Sequence, residues 1–201
     1  MLANAAASAI LNVVVLALIP FLGYYLYHRR HGRTFGEVAR RAGLQLGEVR
    51  YIGYGAAAAV LVVVAIVVWP PPLEPFLREG SPQREFAGLG LSETAVAMAL
   101  LYGVVKTGFA EEFLFRGLIA GSLALRLPTG RANLAQALIF LTPHLLVLRV
   151  MPEMWWVIPL VFVAALAAGW MRIKSGSILG PWLMHATANV ATCLSVAARS
   201  A

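Results

Sequence analysis

SETAVAMALLYGVVKTGFAEEFLFRGLIAGSLAL, residues 92–125, decides the fold. The stretch is apolar for long enough to cross a bilayer, yet Glu111, Glu112 and Arg116 stand inside it. Charged groups in hydrocarbon cost at least ~2.5–3.5 kcal/mol each on the gentlest insertion scale, so they are rare there and mark function. Further along the chain, His144, His185 and Asn189 interrupt apolar runs in the same way. Carboxylates, imidazoles and an amide are the side chains that hydrolytic chemistry uses.

The rest of the chain agrees with a membrane setting. Of its 201 residues 60% are hydrophobic and only 12% charged, against about 25% charged in soluble domains. The expectation is an all-α, polytopic membrane helical bundle. A net charge of +7 suits nucleic acid only if the basic residues share one face. Here they lie between apolar runs, which fits orientation in a bilayer and excludes a nucleic-acid partner. There is no Asp, so acid chemistry rests on nine Glu. The single cysteine, Cys193, excludes an intrachain disulfide. The first apolar run ends in His28-Arg29-Arg30-His31 rather than a cleavage site, and reads as a retained anchor.

Apolar windows at 3–27, 52–69, 92–125, 133–150, 154–172 and 176–197 predict six transmembrane helices, or seven if the third is two. At ~1.5 Å per residue the third would reach about 50 Å, so it is expected to be steeply tilted or broken near Gly117 or Gly121. Residues 1–91 read as N-terminal transmembrane helices with a basic cytoplasmic loop, and 92–198 as a four-helix catalytic core. Loop 28–51 carries six arginines against Glu37 and Glu48, which makes it cytoplasmic by the positive-inside rule. Within it Thr34 and Glu37 read as a capping box opening a short interfacial helix. Threading onward places the Pro-rich loop 70–91 outside, Arg126 and Arg131 inside, Arg149 and Glu153 outside, and Arg172 and Lys174 inside. Trp69, Trp155 and Trp156 form an outer aromatic belt, with Trp170 at the inner one. Glu111, His144 and His185 then share a depth of roughly 15–21 Å from the inner face, at ~1.5 Å per residue.

Each motif pairs residues one helical turn apart. Glu112 and Arg116, at i,i+4, can form an ion pair on one face. Glu111 is turned by about 100° and left free to act as a general base; the competing reading is a Glu/Arg cluster that only locks helices. Phe140 and His144 share a face, and Pro143 frees the Ile139 carbonyl, so a kink with room for water is expected beside His144. His185 and Asn189 can donate to one oxygen, as an oxyanion requires, or serve as helix–helix hydrogen bonders. Gly117-x-x-x-Gly121 reads as close packing and Lys106 as a snorkelling or gate residue.

Glu111-Glu112-x-x-x-Arg116, Phe140-x-x-x-His144 and His185-x-x-x-Asn189, in that order, resemble the three motifs of the CPBP family. These are the CAAX-protease and bacteriocin-processing membrane proteins, also called the Abi family, and the likeness covers about residues 92–198. The resemblance implies an intramembrane endopeptidase of glutamic type. Glu111 would activate a water held with His144, His185 and Asn189 would steady the oxyanion, and Glu112, Arg116 and Phe140 would organise the site. No cofactor is required; zinc held by Glu111, His144 and His185 is the alternative, a His₂Glu set with an open fourth position. No Ser-His pair, thiol nucleophile or His-Glu-x-x-His helix competes. The implied partners are a membrane-associated protein or peptide substrate and the lipid bilayer. Prenylated tails, bacteriocin-type precursors and C-terminal sorting signals all remain open as substrates. The Ala- and Arg-rich composition leans towards a bacterial inner (plasma) membrane. Two other classes compete: a non-catalytic immunity or scaffold protein, and a proton-coupled transporter, whose repeat symmetry the halves lack.

Overall fold

In hydrocarbon a chain must satisfy its own backbone polar groups, and long Ala-, Leu- and Val-rich runs do so as helices. The computed structural model describes residues 1–201 and is all-α. Eight helices follow in order: α1 (Leu2–Arg30), α2 (Phe35–Arg41), α3 (Val49–Val68), the single turn α4 (Glu74–Leu77), α5 (93–124), α6 (Thr129–Val147), α7 (Val157–Ser175) and α8 (Leu179–Arg199). Six are long, and they run back and forth between two ends.

One end is basic. There α2 opens with the expected capping box, Glu37 N–H donating to Thr34 Oγ1 at 3.4 Å and Thr34 N–H to Glu37 Oε2 at 2.8 Å. The segment after α2 then docks on the start of α8, with Ile178 N–H donating to the Gly43 carbonyl and Ser177 Oγ to that of Gln45. At the other end the Pro-rich loop folds back over α5 and α8, burying Phe76 and Phe86 with Met98, Met154 and Val196. Arg78 there grips Glu153 with two bonds of 2.7 and 2.9 Å, an exposed pair that adds little stability.

Three helices are long and apolar enough to cross a membrane: Leu2–Arg30, Val49–Val68 and Pro152–Ser175, the last including a 3₁₀ turn before α7. In α6 and α8 the polar residues dilute the hydropathy: Asn133, Gln136 and His144 in one, His185 and Asn189 in the other. Large apolar side chains such as Leu61, Val67, Leu138, Leu146 and Val163 face outward, a surface of the kind a bilayer covers.

α5 departs from expectation. It does not break at Gly117 or Gly121 but continues to residue 124, changing winding instead. Leu101–Phe109 and Phe113–Ala120 are π-helical, and a single α-turn, Ala110–Glu112, separates them. π-Helical insertions are rare and concentrate at functional sites. The two glycines serve close packing, as expected, although the partner is not a helix of the same kind. A Cβ on Gly117 would lie 2.7 Å from the Ala42 carbonyl oxygen, and one on Gly121 2.8 Å from Arg172 Nη2. Arg172, expected at the inner face, is buried, and its Nη2 donates to the carbonyls of Arg41 at 2.6 Å and Gly117 at 3.4 Å.

α8 is the central helix. It runs parallel to α3, and the two touch backbone to backbone where Gly55 meets Gly180. α5 lies on its other side, fixed by Trp182 Nε1 donating to the Val104 carbonyl at 2.9 Å. α6 is bound to α7 by Gln136, whose Nε2 donates to the Ala165 carbonyl at 2.8 Å, and by Asn133, whose Nδ2 donates to that of Leu166 at 2.9 Å. These contacts bring the motif faces of α5, α6 and α8 together.

Candidate active site

The centre of the site is the ring of Phe140. The Arg116 guanidinium stacks on it with Cζ 3.8 Å from the centroid. The rings of His144 and His185 lie 4.5 and 5.9 Å from it, and Phe115 closes the far side edge-on at 5.0 Å. A cation over an aromatic face is held by the ring quadrupole, most strongly where water is excluded. One residue of α6 thereby sets the positions of an arginine on α5 and a histidine on α8.

Glu112 and Arg116 are each 1% exposed. Glu112 Oε1 lies 3.0 Å from Arg116 Nη1, the ion pair expected at i,i+4. The same oxygen accepts from His185 Nδ1 at 2.8 Å, a contact that local spacing gave no hint of. Three buried polar atoms here lack a hydrogen-bond partner: Glu112 Oε2, Arg116 Nε and Arg116 Nη1. Unsatisfied buried groups of this sort call for an explanation, and a reactive site is one.

The second ring nitrogens remain available. His144 Nδ1–H donates to its own Phe140 carbonyl at 2.9 Å, which leaves Nε2 as its outward atom. His185 has Nδ1 committed to Glu112 and likewise presents Nε2. In each case the partner of one nitrogen selects what the other can do.

Glu111 sits beside this cluster, half-buried, with its carboxylate engaged in no hydrogen bond or ion pair. Asn189 follows His185 by one turn, but the two do not share an acceptor. Asn189 Nδ2 donates to Thr107 Oγ1 at 2.7 Å, and Thr107 Oγ1 to the Tyr102 carbonyl at 2.9 Å. Thr107 is thus a site residue that the sequence did not announce, since a threonine in an apolar helix looks unremarkable. Lys106, its neighbour, lies over the Tyr102 ring at 5.4 Å rather than in the cluster. Glu111, His144 and His185 do not close into a group able to hold a metal ion. They do not fit the zinc alternative as they stand.

Residues 93–191 match the Rce1-like family model, described as type II CAAX prenyl endopeptidase Rce1-like. The matched stretch runs from the start of α5 well into α8 and contains all seven motif residues, Glu111 to Asn189. No curated protein and no solved structure matches the chain. The family is one of CAAX-type peptidases, and the three helices apolar enough to cross a membrane pack beside the helices that bear the acid, imidazole and amide groups. Through residues 93–191 the chain belongs to the Rce1-like family of CAAX prenyl endopeptidases.

Proposed function

We propose that the chain is an intramembrane endopeptidase whose general base is Glu111. The observation that carries this reading is the division of labour between adjacent carboxylates. Glu112 Oε1 is held by both Arg116 and His185, while neither oxygen of Glu111 meets a charged or hydrogen-bonding partner. A water between Glu111 and His144 gives one hydrogen to the carboxylate and the other to His144 Nε2. Its oxygen attacks the peptide carbonyl as its proton passes to Glu111. The proton then returns from Glu111 to the leaving amine, and a carboxylic acid and an amine leave the site. The developing oxyanion meets the second Nδ2 hydrogen of Asn189 and the Nε2–H of a protonated His185, whose charge Glu112 balances. Donors aimed at such an oxygen are worth about 10²–10³ each in rate.

On this reading all six long helices span the bilayer, with the basic end cytoplasmic. Residues 1–91 supply the N-terminal spans, and 92–198 form a four-helix catalytic core. The substrate is a protein or peptide held at the membrane, and composition favours a bacterial plasma membrane. The reaction needs no metal, so cleavage persists after exhaustive chelation. The test is mass spectrometry of membrane proteins with and without the active chain, looking for new C-termini. Glu111→Gln and His144→Ala, folded as wild type, abolish the new termini. If both variants cleave at full rate, the assignment is wrong.

A further inference from the structure

Away from the active site, at the basic end, a pocket of about 520 Å³ opens between α2 and the ends of α5 and α7. Arg33, Arg40, Arg41 and Arg172 line it, with Glu37 as its only carboxylate. That carboxylate is already committed to Thr34 in the capping box, with Arg33 Nη1 at 3.7 Å. No carboxylate pairs with Arg40, Arg41 or Arg172. Arg172 is the informative member. It is 6% exposed, its Nη2 reaches only backbone carbonyls, and its Nε has no partner. A buried guanidinium without a counter-charge is costly unless an anion completes it. Arginine forks match phosphate oxygens in pairs, and basic pockets between helices at the cytoplasmic side suit phospholipid head groups. The walls also include Leu125, and Phe35 begins α2 nearby; both are exposed apolar side chains suited to the chains of a lipid rather than to water.

We propose that this pocket binds a phosphate monoanion or diester, supplied by the head group of an anionic phospholipid. The site also bears on the protease, because Arg172 holds the Gly117 carbonyl, one residue beyond Arg116. Binding is nonetheless independent of whether the chain cleaves anything.

Arg172 braces three elements, so the test changes the arginines of α2 instead. The full chain is placed in phosphatidylcholine nanodiscs with and without phosphatidylglycerol, and lipid retention is read by native mass spectrometry. Arg40→Gln/Arg41→Gln weakens phosphatidylglycerol retention by about thirtyfold or more, the loss of two charge-assisted contacts to one phosphate. Arg29→Gln/Arg30→Gln, an equal charge loss on α1 outside the pocket, leaves it nearly unchanged. Inorganic phosphate at millimolar concentration serves as a second probe in detergent. If it raises the unfolding midpoint of the wild type and not of the α2 variant, the same site takes the free anion. If both double variants weaken retention alike, or neither does, and phosphate has no effect, the pocket is not an anion site.

Discussion

His185 Nδ1 lies 2.8 Å from Glu112 Oε1, a hydrogen bond that joins α8 to α5 across 73 residues of sequence. The same oxygen meets Arg116, whose guanidinium stacks on Phe140 of α6. One carboxylate therefore fixes three helices, and its loss leaves Arg116 buried without a counter-charge.

Replacing Glu112 and replacing its neighbour should thus differ in kind. Glu112→Ala destabilises the fold by about 3–5 kcal/mol, the cost of stranding a buried partner. Thermal unfolding in detergent measures it. Glu111→Gln leaves the unfolding midpoint near that of the wild type but lowers kcat by about 10²–10⁴, the range for a lost general base. A Glu112→Ala protein as stable as wild type refutes the first half; an active Glu111→Gln protein refutes the second.

In the proposed mechanism Thr107 acts through Asn189. Thr107→Val keeps the volume and removes the oxygen that Asn189 Nδ2 meets at 2.7 Å. Asn189 then loses its tether but not its amide. Turnover is expected to fall by about tenfold with KM little changed, less than the 10²–10³ of deleting an oxyanion donor outright. Thr107→Ser, which restores the hydroxyl, recovers most of the rate. Equal loss in both variants would mean the threonine methyl, not its oxygen, matters.

The α3–α8 crossing depends on the absence of side chains. A Cβ on Gly55 would fall 2.8 Å from the Gly180 carbonyl carbon, a backbone atom with no rotamer to yield. Gly55→Val is expected to cost about 1–3 kcal/mol or more through overpacking. Unfolding measurements check this, and Gly53→Val, where a Cβ would meet nothing, is the control.

Acid should loosen α2 before the rest of the fold. The Thr34 backbone and hydroxyl donate to Glu37 and hold its carboxyl below the ordinary glutamate value. A depressed folded value means the contribution is complete above about pH 4.3 and is lost as pH falls through the lowered value. Protection of the Thr34 and Glu37 amides, taken relative to the intrinsic exchange rate at each pH, should therefore fall on acidification. In Glu37→Gln that pH dependence disappears.

The sequence announced those members of the candidate site whose presence in an apolar helix is costly. Glu111, Glu112, Arg116, His144, His185 and Asn189 stand out because hydrocarbon penalises them. Thr34 and Glu37 were legible for a different reason, since a capping box is a contact between near neighbours. Contacts made across the chain left no such trace. Nothing in the spacing of Glu112 foretold His185, and nothing in Thr107 foretold Asn189. The winding of α5 was equally hidden. Glycines at 117 and 121 suggested a break, but in the fold they make room for Ala42 and Arg172, and the helix continues through them with π-helical winding. Arg172 stands at the basic end beside α2, yet it is buried by its neighbours, a distinction that charge counting does not make.

The bond from α8 to α5 also orders biosynthesis. As the ribosome delivers helices in sequence, Glu112 and Arg116 are made 69 or more residues before His185. Until α8 arrives, the nascent chain carries the Glu112–Arg116 ion pair without His185, one of its supports. Completion of the candidate site therefore waits on the last long helix of the chain.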